Sequence, residues 1–220
     1  GSSDTEVLIN AIEIWGLKKT LNLCNGMFAF ALLDRKQQNL FLVRDRFGEK
    51  PIYWGFAGNG SSKALFFGSD ISSFKEFPSF DKEINLEALD AFLKFSSIPS
   101  ELTIYKSVKK LKAGYLAEFN LGKNLEIQKP KLSKWWDYQN TIEFNTAQKL
   151  HKKKDILLQL EKTLKEATSL CSIADVPLGC FLSGGTDSSL IASLLSRNSN
   201  SHINTFTIGF EDKNHDESYH

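Results

Sequence analysis

The first half of the chain alternates short apolar runs with polar turns. Apolar positions at helical spacing, closed by Gly16, predict a helix over residues 3–16 that Ser3 caps at its start. Four apolar runs then follow at short intervals: residues 27–34, 39–45, 51–57 and 64–68. Because only polar turns separate them, they predict an antiparallel sheet rather than βαβ units. Residues 27–33 are almost entirely apolar, which predicts a strand covered on both faces.

The pattern then weakens towards the middle of the chain. Two further elements are predicted first: a helix at residues 86–95 and a hairpin of 114–120 with 125–129. Residues 129–148 follow neither a helical nor a strand period, which is typical of a linker. Trp135 and Trp136 lie inside this segment, and we expect them to attach it to a neighbouring surface.

From residue 150 the pattern changes again. Apolar positions repeat at helical spacing over about 20 residues. A strand, a glycine loop, a helix and a second strand follow, at residues 177–182, 183–185, 186–198 and 203–210. This order is typical of a parallel α/β sheet. The predicted organisation is therefore a first domain over 1–128, a linker over 129–149 and a second domain over 150–220.

Charge and composition exclude several classes of function. The 220 residues carry 27 basic and 26 acidic side chains, which gives no strongly basic face for nucleic acid. No apolar run approaches the roughly 20 residues that cross a bilayer, so no membrane partner is expected. Cys24, Cys171 and Cys180 form no C-x-x-C pair, which predicts reduced thiols and a cytoplasmic protein. The sequence leaves the oligomeric state open, and a homodimer is one candidate.

The segment Phe181–Ser189, with the sequence FLSGGTDSS, is the main candidate for chemistry. Gly184 and Gly185 allow a ligand to approach the backbone closely, and the helix that follows presents unpaired N–H groups. Together these features favour a phosphate site. The loop is not a Walker motif, because no lysine follows the glycines. Asp187 would repel a bare phosphate but would suit a Mg²⁺ ion that bridges phosphates.

These residues also carry a family resemblance. FLSGGTDSS is similar to the pyrophosphate loop of ATP pyrophosphatases, and among them to that of glutamine-dependent asparagine synthetases. The first half agrees independently, through the segments SSDTEVLINAIEIWG, NGMFAFALLD, RDRFGEKPIYWG and FFGSDISSF. The resemblance covers nearly the whole chain and implies an α/β protein with an α+β first half. Its first domain would be an incomplete antiparallel αββα glutaminase of the N-terminal-nucleophile class, followed by the start of a parallel-sheet α/β ATP-pyrophosphatase domain.

The resemblance further implies which residues bind substrates. The family's nucleophilic N-terminal cysteine would lie upstream of residue 1, so no catalytic residue is assigned within the chain. Asp4 is similar to the family residue that binds the α-amino group of glutamine. The implied ATP and pyrophosphate contacts are Leu182, Ser183, Gly184, Gly185, Asp187, Ser188, Ser189 and Ile208. Asp187 is the implied Mg²⁺ ligand, so the expected cofactors are ATP and Mg²⁺, and the expected substrates are glutamine, aspartate and ATP.

Other interpretations remain open at this stage. A β-lactam-forming synthetase would share the architecture without a working glutaminase, and an inactive fragment would retain only binding. A tRNA-modifying ATP pyrophosphatase would require cysteine pairs and a basic surface, which the sequence lacks. Two features receive structural roles only. Cys24 is expected to be a packing residue, and residues 44–51 are expected to form a turn held by ion pairs.

Overall fold

The computed structural model describes residues 3–58, 63–99, 101–121, 129–146, 152–198 and 202–211. The chain divides into two compact units, Gly1–Phe144 and Asn145–His220, and each is described by itself. Within the described residues, no helix combines the length and the apolar character needed to cross a membrane.

The first unit begins with two consecutive helices, α1 (Asp4–Trp15) and α2 (Leu17–Leu23). The predicted start of α1 is confirmed, because the Ser3 hydroxyl accepts a hydrogen bond from the Thr5 amide at 3.2 Å. Gly16 separates the helices with a positive φ of 77°, which explains why a residue without Cβ stands there. The predicted helix α3 (Leu86–Phe95) is confirmed as well, with Asn85 as its cap.

In the described part of this unit, seven strands form two antiparallel sheets. They are β1 (Ala29–Asp34), β2 (Asn39–Arg44), β3 (Tyr53–Ala57), β4 (Ala64–Gly68), β5 (Val108–Lys110), β6 (Tyr115–Asn120) and β7 (Lys131–Lys134). The first sheet has the order β1-β2-β6-β7 and the second has the order β4-β3-β5. The four strands predicted at the start of the chain are therefore present and antiparallel, but two belong to each sheet.

The core lies between the two sheets. Leu42 and Phe119 of the first sheet pack with Trp54 of the second, and the Trp54 and Phe119 rings meet edge to face at 5.4 Å. Strand alternation turns Val43 to the opposite face, where it packs with Leu21 of α2. The far face of the second sheet is covered by a phenylalanine cluster from residues 66–80. This layering agrees with the expected antiparallel fold class of the first half.

The first unit differs from the sequence-based predictions in the burial of β1 and in the structure of the expected linker. Strand β1 is not covered on both faces, since Ala31 and Leu33 are exposed. The reason is that β1 lies at the edge of its sheet, and on that face only Ala29 reaches the core between the sheets.

The segment expected to be a linker contains regular structure. Strand β7 pairs with β6, and helix α4 (Tyr138–Thr146) follows. Trp135 is buried beside Leu21 and Val43, which confirms that it attaches this segment to its neighbours. The strand predicted at residues 125–129 lies, except for Lys129, outside the described residues. The proposed domain boundaries stay predictions.

The second unit contains α5 (Lys153–Cys171), β8 (Gly179–Phe181), α6 (Thr186–Asn198) and β9 (Asn204–Phe206). Strands β8 and β9 pair in parallel, with α6 connecting them. This strand–helix–strand order matches the expected parallel α/β arrangement over the two strands that are described. Leu194 and Leu195 of α6 are buried, and α6 packs against α5.

Candidate functional site

The first candidate site is a cleft of about 1190 Å³ in the first unit. Helix α1 forms one wall, where Asp4 lines the cleft beside Leu8. Opposite them lie Phe28, at the start of the first sheet, and Lys50. The Asp4 carboxylate is exposed, and its Oδ1 accepts a hydrogen bond from the Thr5 amide at 2.7 Å. The cleft thus combines apolar walls with a carboxylate and an ammonium group, which suits a small zwitterionic ligand.

Cys24 also lines this cleft, but its environment does not favour a nucleophile. Burial raises the pKa of the Cys24 thiol, and the nearby Arg46 only partly opposes that shift. A raised pKa keeps the sulfur protonated, whereas nucleophilic attack requires the thiolate. This agrees with the expectation that Cys24 is a packing residue.

A turn behind the cleft, residues 44–51, is held by hydrogen bonds to the backbone. The Asp45 carboxylate is 1% exposed and accepts bonds from four main-chain amides, those of Phe28, Phe47, Glu49 and Lys50. The expected turn is present, but the expected ion pairs are not what holds it in the described part of the chain. The reason is that Asp45 is enclosed by N–H donors, which satisfy a buried carboxylate without a cation.

The two arginines of this turn bind carbonyl oxygens. The Arg44 guanidinium donates to the carbonyls of Lys50 at 2.9 Å and Leu111 at 2.6 Å, and to that of Gly48. Burial lowers the pKa of Arg44. Arg46 donates to the Cys24 carbonyl at the end of α2. Through Arg46, the turn therefore fixes the position of Cys24, which lines the Asp4 cleft.

The second candidate site is the loop between β8 and α6. The Ser183 and Ser188 hydroxyls lie 3.1 Å apart, and the Ser188 hydroxyl donates to the Gly185 carbonyl at 3.1 Å. Gly184 has a positive φ of 79°, a conformation that disfavours residues with a Cβ. The Ser189 amide donates to the Gly185 carbonyl at 3.0 Å and so continues the first turn of the helix. The structure thus places these predicted residues in one largely exposed loop at the start of α6.

Leu182 and Ile208, the predicted adenine-side residues, lie just beyond the ends of β8 and β9. The Leu182 amide donates to the Phe206 carbonyl at 2.8 Å, and the Thr207 hydroxyl donates to the Leu182 carbonyl at 2.7 Å. These bonds hold Leu182 beside the residue that precedes Ile208. Ile208 is 65% exposed, so it is available for an apolar contact rather than buried as strand core.

Asp187 is the single predicted metal ligand. It lies exposed in the first turn of α6. In the ranges that the structure describes, no group of three or more His, Cys, Asp or Glu side chains could hold a metal by itself. One carboxylate beside the Ser183 loop nevertheless fits Mg²⁺, which commonly binds one or two carboxylates together with substrate phosphates.

Comparison with known proteins finds two family models that match successive parts of the chain. Residues 1–136 match the family model of the glutamine amidotransferase domain. The chain belongs to this glutamine amidotransferase family. Residues 159–220 match a second family model, that of asparagine synthase. The glutamine amidotransferase match includes the Asp4 cleft, and the asparagine synthase match includes the Ser183 loop.

Among the relatives of this chain are proteins named as asparagine synthetases. One is the putative asparagine synthetase [glutamine-hydrolyzing] 2 of Methanocaldococcus jannaschii, 32% identical over 99% of the chain and 40% of the relative. Another is asparagine synthetase [glutamine-hydrolyzing] 2 of Bacillus subtilis, 30% identical over 94% of the chain and 27% of the relative. Amidase chry2 of Gibberella zeae is 31% identical over 89% of the chain and 27% of the relative. The chain therefore spans well under half the length of these relatives.

Sequence reasoning missed one residue that organises the first unit behind the Asp4 cleft. The sequence pattern places Asp45 in a charged turn without a role of its own, yet its carboxylate accepts hydrogen bonds from four main-chain amides behind the cleft. The sequence feature that could have identified Asp45 is its position directly after an apolar strand and three residues before Gly48. An acid at a strand end before a glycine turn is well placed to bind successive amides.

Proposed function

We propose that the chain forms part of an enzyme that synthesises asparagine with ammonia from glutamine. The observation that carries this proposal is the order of two family matches on one chain, a glutamine amidotransferase domain followed by asparagine synthase. Each match contains a candidate site whose chemistry fits its half of the reaction. In this proposal the enzyme is an amidotransferase ligase whose small-molecule substrates are glutamine, aspartate and ATP.

In the proposed reaction, the first unit binds glutamine in the Asp4 cleft. The Asp4 carboxylate would pair with the α-ammonium group of glutamine, which is the favourable combination of charges on an exposed cleft wall. Hydrolysis of the side-chain amide then yields glutamate and ammonia. We assign no nucleophile within this chain, because the raised pKa of Cys24 disfavours that role.

The second unit would bind ATP at the Ser183 loop. Aspartate's side-chain carboxylate attacks the α-phosphorus, pyrophosphate leaves, and β-aspartyl-AMP forms. Ammonia then displaces AMP from the acyl carbon and gives asparagine. The amides and hydroxyls at Ser183–Ser189 would hold the departing pyrophosphate, and Asp187 would hold Mg²⁺, which neutralises phosphate charge. Leu182 and Ile208 would contact the adenine ring.

The test uses the full-length protein and measures AMP and pyrophosphate from ATP. Release should require aspartate, and Asp187→Asn should reduce it at least about a hundredfold, as loss of a charge-stabilising group does. Asp175→Asn is the matched control, because Asp175 is also exposed in the second unit but lies outside the loop. Equal activity of Asp187→Asn and the control would refute the assignment of Mg²⁺ to Asp187.

A second variant separates binding from folding. A Cβ at Gly185 would lie 3.5 Å from the Ser183 hydroxyl, an ordinary contact, so Gly185→Ala should fold normally. The added methyl group would nevertheless occupy the loop where phosphate is expected. Gly185→Ala should therefore lose ATP binding while keeping the thermal unfolding midpoint of the wild type. Unchanged ATP affinity would place the phosphate elsewhere.

One relative supports a second acceptor. Amidase chry2 aligns with 89% of the chain but does not carry the name of an asparagine synthetase. The alternative is a related synthetase that adenylates a different carboxylate, as a β-lactam-forming enzyme would. Pyrophosphate release with a panel of carboxylic acids distinguishes the two, because only aspartate should support release in the first proposal.

We also propose a cytoplasmic location, which is supported by the three free cysteines among the described residues. A homodimer stays a prediction that analytical ultracentrifugation of the full-length protein would check.

A further inference from the structure

A second cleft, here called the basic cleft, lies in the first unit. It has a volume of about 790 Å³ and shares no lining residue with the Asp4 cleft. Five cationic side chains and one carboxylate line it: Arg44, Arg46, Lys110, Lys112, Lys134 and Asp137. Nothing in the proposed asparagine synthesis uses this cleft. Such an excess of positive charge in one concave surface favours an anionic ligand.

Two of the lysines already have partners at the edge of the basic cleft. The Lys112 ammonium lies 2.9 Å from the Glu101 carboxylate, and the Lys134 ammonium lies 2.8 Å from the Asp137 carboxylate. Both pairs are partly exposed, so each fixes a lysine near the opening without removing it from solvent. The other three side chains form no ion pair in the described part of the chain, and Arg44 among them lies near a carboxylate, that of Asp45.

Lys110 is the least satisfied of those three. Its ammonium group makes one long hydrogen bond, 3.5 Å to the Ile98 carbonyl, and it forms no ion pair in the described part of the chain. Burial lowers the pKa of Lys110, and the charge of Arg44 lowers it further. Arg44 and Arg46 donate to carbonyl oxygens, which do not neutralise a full charge. A bound anion would relieve this repulsion.

The rest of the basic cleft is aromatic. Phe47 and Trp136 meet edge to face at 5.2 Å, and Tyr138 lies 6.2 Å from Trp136. Tyr115 lies beneath the Lys112 and Lys134 ammonium groups, at 5.8 and 5.9 Å from them. Phe47 and Tyr138 are each more than half exposed. These exposed ring surfaces suit a flat apolar group.

We propose that the basic cleft binds a phosphorylated compound with a flat ring, of the size of a nucleoside monophosphate. The phosphate would lie against Lys110 and would compete with Glu101 for Lys112, because that ion pair is exposed and weakly stabilising. The ring would lie against Trp136 and Tyr138. The cleft volume is within the range of small-molecule sites. This site is separate from the ATP loop of the second unit and goes beyond the proposed function.

Calorimetric titration of the whole 220-residue chain tests the proposal with three matched probes: AMP, adenosine and inorganic phosphate. AMP should bind more tightly than either of its parts, because only AMP fills both halves of the cleft. Lys110→Gln should weaken AMP binding at least about tenfold, as loss of a charged phosphate contact does. Lys109→Gln is the control, since Lys109 is the exposed neighbour on β5 and does not line the cleft.

Several outcomes would overturn the proposal. These are no AMP binding, equal effects of Lys110→Gln and Lys109→Gln, or inorganic phosphate binding as tightly as AMP, which would remove the need for a ring. Loss of AMP binding in Gly185→Ala but not in Lys110→Gln would locate the ligand at the other unit. Lys112→Gln provides a second variant, and it should weaken AMP binding as well if Lys110→Gln folds poorly.

Discussion

Replacing Asp45 by asparagine is the sharpest test of how the first unit is held together. The Asp45 Oδ1 accepts from the amides of Phe47 and Glu49, both at 3.0 Å. Its Oδ2 accepts from the amides of Phe28 at 3.3 Å and Lys50 at 2.9 Å. Asparagine keeps the shape of the side chain but turns one of these two acceptors into an NH₂ donor.

The expected cost follows from this change of one oxygen. Whichever way the amide is oriented, two main-chain N–H groups then face a donor in a site that is 1% exposed. A hydrogen bond to a charged group contributes about 1.5–3 kcal/mol, and an unsatisfied buried donor costs about 1–3 kcal/mol. We therefore expect Asp45→Asn to lower the free energy of unfolding by about 3–5 kcal/mol. That loss is large beside the roughly 5–15 kcal/mol of a typical domain.

Urea unfolding followed by tryptophan fluorescence measures this difference, since Trp54 and Trp135 are both buried in the first unit. Asp70→Asn is the matched control, because Asp70 is exposed and accepts from the Ser72 amide at 2.9 Å. The control should leave the unfolding midpoint close to that of the wild type. A loss below about 1 kcal/mol for Asp45→Asn, or equal losses in both variants, would refute the argument from buried amides.

Three further predictions concern other parts of the chain. Gly55→Ala should cost about 1–3 kcal/mol in urea unfolding, because a Cβ there would overlap the Ser107 carbonyl and leave no room to repack. Maleimide at pH 7.5, followed by peptide mass mapping, should label Cys24 more slowly than the exposed Cys171, because burial raises the Cys24 pKa; faster labelling of Cys24 would contradict this. The pKa of Asp137 is lowered mainly by a lysine hydrogen bond. The ionised Asp137 carboxylate should therefore stabilise the protein above pH 3.8, the ordinary pKa of an aspartate. In an acid titration of stability, this contribution should be lost as the pH falls through the lowered pKa. The Asp137→Asn variant should show no such loss.

The sequence predicted those elements whose side chains repeat with a clear period. Strand β2 is recognisable because Leu42 faces the core between the sheets and Val43 faces α2, so both are apolar for separate reasons. Strand β7 is not recognisable from the sequence, because it contains a single apolar residue, Leu132, which is exposed. Its place in the sheet comes from main-chain bonds to β6 and from the burial of Trp135 next to it. Pairing of that kind leaves little trace in a hydrophobic pattern.

The shape of the Ser183 loop was predictable because its backbone depends on residue types. Glycine at 184 is required by a φ of 79°, and the serine hydroxyls at 183 and 188 contact each other directly. A phosphate site needs small residues and donors at fixed spacing, so its sequence is distinctive. The assignment of Leu182 and Ile208 to the adenine side rests on resemblance alone and stays a prediction, since an exposed Ile208 has no local pattern of its own.

Asp45 could not be predicted in the same way, because its partners are main-chain amides that every residue except proline provides. The same turn also contacts the segment that carries Trp135. The Gly114 amide donates to the Asp45 carbonyl at 2.8 Å, and the Trp135 amide donates to the Gly114 carbonyl at 2.9 Å. The Trp135 indole donates to the Arg44 carbonyl at 3.1 Å. Asp45 is thus connected to both clefts. Its carboxylate binds the amide of Phe28, which lines the Asp4 cleft, and its neighbour Arg44 lines the basic cleft. If the turn is the common support of both clefts, Asp45→Asn should weaken ligand binding at each of them under conditions where the protein is still folded.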